Sequence, residues 1–240
     1  MNIIRKYKRF MAVGCSHGIY ADPLAIKAVL KFRKNFKPHE VIHLGDFCDL
    51  SSFMSSAKNG EGDPIRPDLI NGTKFLEQLE ATQILCGNHE ARLWRMKESS
   101  NQKDVLAAEV SIEAITTTAL KLHAKFTPYD GVWQGIKLGN FIFTHGTIYN
   151  ENSARDMAEI YGNVIFAHTH KPSIQTGRRI DHAVGISVGT LTKRGALDYA
   201  NMRRSTLAWG QGFVYGEYTD DKLYPTLFIH NYSERWNLPL

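Results

Sequence analysis

The order of apolar and polar positions divides the chain into two halves of different character. In the first, short apolar runs alternate with stretches of helical periodicity. Phe10–Val13 predicts a strand. Asp22-Pro23 then offers an N-cap and a residue suited to the first helical turn, and Leu24, Ala28, Leu30 and Phe32 carry a helix to about Asn35. Pro38 precedes a second strand, Val41–Leu44. Ile70–Leu79 predicts a second helix and Ile84–Cys86 a third strand. A β-α-β-α-β order implies parallel strands joined by helical crossovers.

Between Ala91 and Pro128 the pattern is helical, with Leu106, Val110, Ala114, Ala119 and Leu122 at helix spacing. This predicts a helical cap or insert at about 91–128, rather than sheet, within one domain spanning 1–240. From Gly135 strands dominate. Ile136–Leu138 and Phe141–Phe143 flank Gly139-Asn140, a hairpin signal. Ala154–Tyr161 predicts a short helix; Val164–Ala167, His182–Val188, Phe213–Tyr218 and Thr226–His230 predict strands. Ser51–Pro67, rich in Ser, Gly, Asn and Pro, predicts a loop. A chain that is α/β first and mostly β later suits two stacked sheets flanked by helices.

Composition narrows the class. With 240 residues, 43% hydrophobic and 22% charged, the chain can build a substantial core, which excludes disordered, collagen-like and coiled-coil classes. No stretch approaches the roughly 18–20 apolar residues of a membrane span. Met1–Arg9 is basic, but Phe10–Val13 is too short for the apolar part of a signal peptide. Three cysteines, Cys15, Cys48 and Cys86, do not make a disulfide framework. The expectation is a cytoplasmic protein with no membrane contact and no assignable oligomeric state. A net charge of +5 leans towards anionic partners without proving them.

The chemistry lies in polar clusters that follow apolar strands: Cys15-Ser16-His17-Gly18, Gly45-Asp46-Phe47-Cys48-Asp49, Gly87-Asn88-His89-Glu90, Thr144-His145-Gly146 and His168-Thr169-His170. In an open α/β sheet the carboxyl ends of parallel strands share one edge, where ligands bind. Five of the ten histidines fall in these clusters. Imidazole and carboxylate are ligands for Zn, Fe and Mn. His168 and His170, one residue apart on an extended segment, would face the same way. His39, His43, His123, His182 and His230 match no cluster and are read as structural, as Cys48 and Cys86 are read as packing residues.

In order, these blocks resemble the calcineurin-like metallophosphoesterase superfamily: D-x-H, G-D-x-x-D, G-N-H-[DE], a lone H, and G-H-x-H. Here they read Cys15-x-His17, Gly45-Asp46-x-x-Asp49, Gly87-Asn88-His89-Glu90, His145 and Ala167-His168-x-His170. The resemblance implies a four-layer α/β/β/α metallophosphoesterase sandwich, two mixed sheets flanked by helices. It also implies a dimetal-bound hydroxide as nucleophile, the two ions about 3.5–4 Å apart. By the same resemblance His17, Asp46 and His170 hold one ion, with Cys15 at the usual aspartate position. Asp46 bridges to a second ion held by Asn88, His145 and His168. His89 stabilises charge or protonates the leaving group, and Asp49 orients His89.

Cys15 in place of aspartate favours Mn, Zn or Fe over Mg; a thiolate ligand, a bystander beside a weakened site and lost activity are its three readings. Asp49 is followed by Leu50-Ser51, not the arginine-glycine of protein Ser/Thr phosphatases, which disfavours that branch. The chain is similar to compact phosphoesterases of phage and bacterial genomes, so a phage-encoded protein acting in a bacterial host is one expectation. The expected substrate is a phosphoester, with a lean towards a DNA, RNA or nucleotide phosphodiester. The alternatives are a phosphomonoesterase on small metabolites and a catalytically weak metal-containing module that binds nucleic acid or protein. The pairs Arg178-Arg179, Lys193-Arg194 and Arg203-Arg204 are read chiefly as solvated charges, with an anion-gripping loop as the sharper reading. Trp209 is read as a core or strand residue.

Overall fold

The structure is a computed structural model that describes residues 7–54, 64–129, 135–197, 206–230, 232–233 and 235–239. Strand β1 (Lys8–Val13) leads through a 3-10 turn to helix α1 (Pro23–Phe36), then β2 (Glu40–His43), α2 (Ile65–Leu79) and β3 (Gln83–Leu85). Helices α3 (Ala91–Met96) and α4 (Gln102–Lys121) precede β4 (Lys125–Thr127) and the hairpin β5 (Ile136–Leu138) and β6 (Phe141–Thr144). Next come α5 (Ser153–Tyr161), β7 (Val164–Phe166), β8 (Ser173–Thr176) and β9 (Val184–Ser187), then β10 (Gln211–Tyr218) and β11 (Leu223–His230).

The first sheet has the order β11-β10-β1-β2-β3-β4 and the second β5-β6-β7-β9-β8. Parallel pairing joins β1 through β4 and joins β6, β7 and β9; the remaining pairs are antiparallel. Both sheets are therefore mixed. Alternation along each strand divides the core into three. Met11, Val13, Val41, Ile84 and Phe213 pack outward with α1, α2 and α4. Phe10, Ala12, Ile42, Leu44 and Leu85 point the other way, onto Phe143, Ile165 and Ile186 of the second sheet. Val164 and Phe166 meet α5 through Ala154 and Met157. The layers are thus helix, sheet, sheet, helix. Strands buried on both faces need near-continuous apolar runs, as Phe10–Val13 and Val164–Phe166 have.

Local chemistry sets the helix ends. Asp22 accepts the Leu24 amide at 2.8 Å with Pro23 at the first helical position, and α1 stops at Lys37 in a left-handed conformation. Asn101 caps α4 through the Lys103 amide at 3.1 Å.

Four expectations change. The segment 91–128 is not wholly helical: Lys125–Thr127 is β4, the sheet edge, parallel to β3. Helix α4 buries only the C-terminal part of the expected face, Ala119 with Leu122 packed against the core. Leu106 and Val110 are exposed, and Ala108, Ser111, Ile115 and Thr118 are buried in their place. The Ser111 and Thr118 hydroxyls donate to the Ala107 and Ala114 carbonyls, so polar side chains sit inside without loss. Strand β8 had no apolar run to announce it; its side chains alternate between half-buried and exposed at the sheet edge. The loop expected over 51–67 ends early, because α2 starts at Ile65 and includes Pro67 within its first turn, where proline is tolerated. Much of that loop lies outside the described residues. Among the described residues no helix is long and apolar enough to cross a membrane.

Candidate metal centre

Four of the five polar clusters begin two residues after a strand ends, those of β1, β2 and β3 in the first sheet and β7 in the second, and the fifth begins on Thr144, the last residue of β6. Hydrogen bonds tie the loops within each edge and across the two. The Cys15 amide donates to the Gly45 carbonyl at 3.0 Å, the Ala167 amide to the His145 carbonyl at 3.0 Å, and the His168 amide to Cys15 Sγ at 3.2 Å. His145, from the second sheet, donates Nδ1–H to the Leu44 carbonyl of the first at 2.8 Å. Cys15, His17, Asp46, His168 and His170 all have φ between 51° and 65°. Left-handed backbone at a non-glycine residue costs of order 1–3 kcal/mol and persists only where surroundings over-determine it. Here it aims these side chains into the buried cluster of ligand atoms.

Three overlapping groups of ligand atoms result, each within 4.8 Å: Cys15, His17, Asp46 and His170; Asp46, His145 and His168; and His17, Asp49 and His89. Asp46 is common to the first two. Its Oδ2 lies 3.1 Å from His145 Nε2, 3.9 Å from His89 Nε2 and 4.0 Å from His17 Nε2. Asn88 Oδ1 faces His145 Nε2 at 3.0 Å and His168 Nδ1 at 2.8 Å. His17 gives Nδ1–H to Asp49 Oδ1 at 2.9 Å, which turns its Nε2 towards His170 Nε2, also 2.9 Å away. The extended geometry expected of His168 and His170 is not seen. β7 stops at Phe166, and the two rings part, His168 to the Asp46–His145 group and His170 to the His17 group.

The donor chemistry fits divalent cations. His145 has committed Nδ1–H to a carbonyl, so its Nε2 lone pair faces the oxygens of Asp46 and Asn88. Such an arrangement repels itself unless a positive charge lies between. His170 Nδ1 and Asp49 Oδ2 are buried without a hydrogen-bond partner, which costs free energy. Without metal, protons supply the compensation. Burial works against a charged imidazole, yet Asp46 with the Leu44 carbonyl and Glu90 raises the pKa of His145, and Asp46 with Asp49 raises that of His89. Burial would raise the Asp46 carboxyl, but His145, His89 and His17 together hold it well below the usual carboxylate range. Burial and neighbouring imidazoles lower the pKa of His17 and His170, and bring His168 down to about 4. Burial, reinforced by Asp46, pushes the Cys15 thiol up.

Several residues that build this site were not assigned a role from sequence. Glu90 stands in a recognised block, but its work is visible only in three dimensions. Its carboxylate accepts the amides of Asp46 and Gly87 at 2.8 Å each and that of Cys48 at 2.9 Å, clamping two loops together. Burial beside Asp46 pushes it up to about 7. Asp68, in the first turn of α2, accepts the amides of Asp49 and Leu50 at 2.9 and 2.8 Å and that of Ile19 at 3.3 Å. Gly87 is required by proximity: a Cβ there would stand 2.1 Å from Asp46 Oδ1 and 2.6 Å from His145 Cε1. Arg92 donates to the Asp49 and Leu50 carbonyls at 2.7 and 3.2 Å. His89 Nδ1 meets the same Asp49 carbonyl at 2.6 Å and Asp49 Oδ1 at 3.3 Å.

Outside the clusters, His43 is buried in β2, brought down to about 3 by burial and hydrogen-bonded to Ser16 and the Gly45 amide. Cys48 and Cys86 are buried free thiols. Arg178 pairs with Glu159 and Arg179 with Asp181 at the exposed surface, while Arg194 lies over the Tyr232 ring. Arg203 and Arg204 lie outside the described residues. Trp209 is not in a core cluster; its ring packs on His170, centroids 4.3 Å apart.

A two-sheet sandwich between helical layers, with imidazoles and a shared carboxylate at the carboxyl edges of both sheets, defines a metal-dependent phosphoester hydrolase. The chain belongs to the calcineurin-like phosphoesterase family, whose profile matches residues 8–183. Solved structures similar to it include an archaeal phosphodiesterase, 15% identical, covering 92% of this chain and 99% of that one with a TM-score of 0.48. The phosphoesterase Yfce from E. coli is 15% identical over 91% and 98% with a TM-score of 0.41. A dimetal phosphatase from Danio rerio is 10% identical over 94% and 99% with a TM-score of 0.47. No match is found among curated proteins.

Proposed function

We propose that the protein hydrolyses phosphodiesters of nucleotides or nucleic acids, with two divalent cations held on the shared Asp46. The observation that carries the reading is that one buried carboxylate belongs to two sets of ligand atoms at once. Cys15, His17, Asp46 and His170 would hold the first ion; Asp46, Asn88, His145 and His168 the second. When bound, such a pair supplies an activated water-derived nucleophile and neutralises charge on the phosphoryl oxygens. A buried sulfur ligand favours Zn, Fe or Mn over Mg.

The chain's own residues do the rest. Asp49 fixes the ring of His17, and His145 is oriented by the Leu44 carbonyl, the outer-shell support typical of ligating imidazoles. His89 is held at Nδ1 by the Asp49 carbonyl, leaving Nε2 facing the cavity 3.9 Å from Asp46. Asp46 and Asp49 favour its protonated form against burial, so it is suited to give Nε2–H to the leaving oxygen.

A diester is favoured over a monoester by charge. A monoester carries about −1.5 to −2 at pH 7, a diester one negative charge. Leu50 stands, buried, where a phosphate-gripping arginine would stand. Arg92, whose charge acts on His89, spends Nη1 on two backbone carbonyls. The test is kinetic. Protein loaded with Mn or Zn should turn over bis-p-nitrophenyl phosphate with a kcat/KM at least about tenfold above that for p-nitrophenyl phosphate, and EDTA should abolish both. Equal or reversed preference would favour the monoesterase reading. Metal-loaded protein inactive on both would favour the binding module.

A further inference from the structure

The candidate ligands are not equally enclosed. Cys15, His17, Asp46, His145 and His170 are buried, whereas Asn88 and His168, whose Oδ1 and Nδ1 lie 2.8 Å apart, are half-buried. The cluster therefore meets solvent at Asn88 and His168, and a phosphoester that reaches the ions has to approach there. Among the described residues three aromatic side chains border the ligand imidazoles. Tyr129 lies against His145, Trp209 against His170 and Tyr149 against His168, with ring centroids 5.9, 4.3 and 6.1 Å apart. Tyr129 and Trp209 are half-buried; Tyr149 is 77% exposed, beside the half-buried imidazole.

Single exposed aromatic side chains are ordinary on a protein surface. Tyr149 differs in how its backbone is held. On one side Ile148 packs against the cluster of Met157, Val164 and Phe166. On the other, the Asn150 carbonyl accepts Lys171 Nζ at 2.7 Å, while its side chain accepts the Asn152 amide at 3.0 Å and donates to Asp156 at 2.8 Å. Lys171 directly follows His170, so the loop after β6 is tied to the loop that carries the paired histidines. A ring fixed at its base and open at its face loses little freedom when a flat group lies on it.

We propose that Tyr149 is the platform on which a base of the substrate stacks, and that this base belongs to the nucleoside that stays on phosphorus. The inference rests on the phosphodiesterase reading and deepens it. Hydrolysis adds the hydroxyl of water to phosphorus and breaks the bond to the leaving oxygen. That oxygen takes a proton from His89, which is restored by the proton water releases. His89 groups with His17 and Asp49; Tyr149 borders the group of Asp46, His145 and His168, which shares no residue with the first. The leaving alcohol departs at the His89 end, so the ester arm at the His168 end is the retained one. An alkyl arm would leave the open face of Tyr149 unused, whereas every nucleobase has a π-face to lay on it.

Two diesters that share the p-nitrophenolate leaving group test the retained arm alone. Thymidine 5′-p-nitrophenyl phosphate keeps a nucleoside on phosphorus; methyl p-nitrophenyl phosphate keeps a methyl group. Native protein loaded with Mn or Zn should show the higher kcat/KM for the thymidine ester. Base–aromatic stacking is worth about tenfold or more, so Tyr149→Ala should lower kcat/KM for the thymidine ester about tenfold more than for the methyl ester. The difference should lie in KM, because the base is remote from the reacting atoms. Tyr149→Phe, which keeps the ring, should retain the preference. Both esters are measured on the same protein, so metal loading cancels in the ratio, and the exposure of Tyr149 means that its replacement leaves the core intact. An unchanged ratio in Tyr149→Ala, equal losses on both esters, or a loss of preference in Tyr149→Phe as large as in Tyr149→Ala overturns the platform assignment alone. Failure of native protein to hydrolyse either ester or bis-p-nitrophenyl phosphate overturns the phosphodiesterase reading with it.

Discussion

Asp46 carries more of the site than any other side chain. Oδ2 serves His145 and approaches His17 and His89, and Oδ1 accepts the His89 amide at 3.0 Å. Replacing it with asparagine keeps the shape and removes the charge that both ligand groups share. Asp46→Asn is expected to lower metal content at both positions, read by elemental analysis after gel filtration; full occupancy would remove the bridging assignment. His89→Ala tests a different link. A general acid contributes roughly 10²–10⁴-fold, so turnover of a diester with an alkyl leaving group should fall by about that factor. The loss should be much smaller with p-nitrophenolate, and metal content should be unchanged. Equal losses across leaving groups would deny His89 the proton. Cys15 is the residue whose meaning the sequence left open. Its sulfur receives the His168 amide and lies with His17, Asp46 and His170. Cys15→Asp is expected to shift competitive loading from Zn towards Mn, measured by mass spectrometry of the eluted metals.

Loops that hold ligands need to be held themselves, and elements do this through two buried acids. Asp68 on α2 ties the turn after β1 to the loop after β2, and Glu90 at the start of α3 ties the β2 loop to the β3 loop. Glu90→Gln would set an amide NH₂ against a backbone N–H whichever way it turned. An unsatisfied buried donor costs about 1–3 kcal/mol. For a chain of this size that is a fall in Tm of roughly 2–4 °C per kcal/mol, measured by thermal denaturation, with weaker metal retention alongside. An unchanged Tm would mean the three-amide clamp adds little. These acids explain what could and could not be read beforehand. The strands β1, β2, β3, β6 and β7 are apolar runs followed at once by polar clusters, so periodicity locates both the strand and the site edge. Asp68 has no such marker: its partners are 18 to 49 residues away and are backbone amides, which carry no side-chain signature. The first half of α4 is hidden from periodicity for a related reason. Ser111 and Thr118 satisfy their hydroxyls on their own helix and so enter the core as if apolar.

At the scale of the molecule, two sheets packed face to face bring their carboxyl edges together around a cluster of imidazoles, carboxylates and unshared lone pairs. The fold holds it with protons when metal is absent, which is a strained solution. A ligand that binds the folded state stabilises it in proportion to the logarithm of its concentration over its dissociation constant, about 2.7 kcal/mol at a hundredfold excess. Exhaustive chelation is therefore expected to lower the Tm by several degrees, and added Zn or Mn to restore it. A Tm indifferent to both would argue against any cation at Asp46. The same convergence accounts for the reach of the sequence motifs: blocks from residue 15 to residue 170 become neighbours only because the parallel strands point one way.

Gly14 and Ala167 illustrate how tightly the two sheets are keyed. A methyl group on Gly14 would stand 2.6 Å from the Ala167 Cβ, so the alanine occupies room that the glycine vacates. Ala167 precedes the paired histidines, and its methyl group fits because Gly14 opposite has none. Anyone grafting this catalytic edge onto a related scaffold, or borrowing a relative's first loop for it, has to exchange these two positions as a matched set; swapping one alone would wedge the sandwich open or leave a hole at its hinge line.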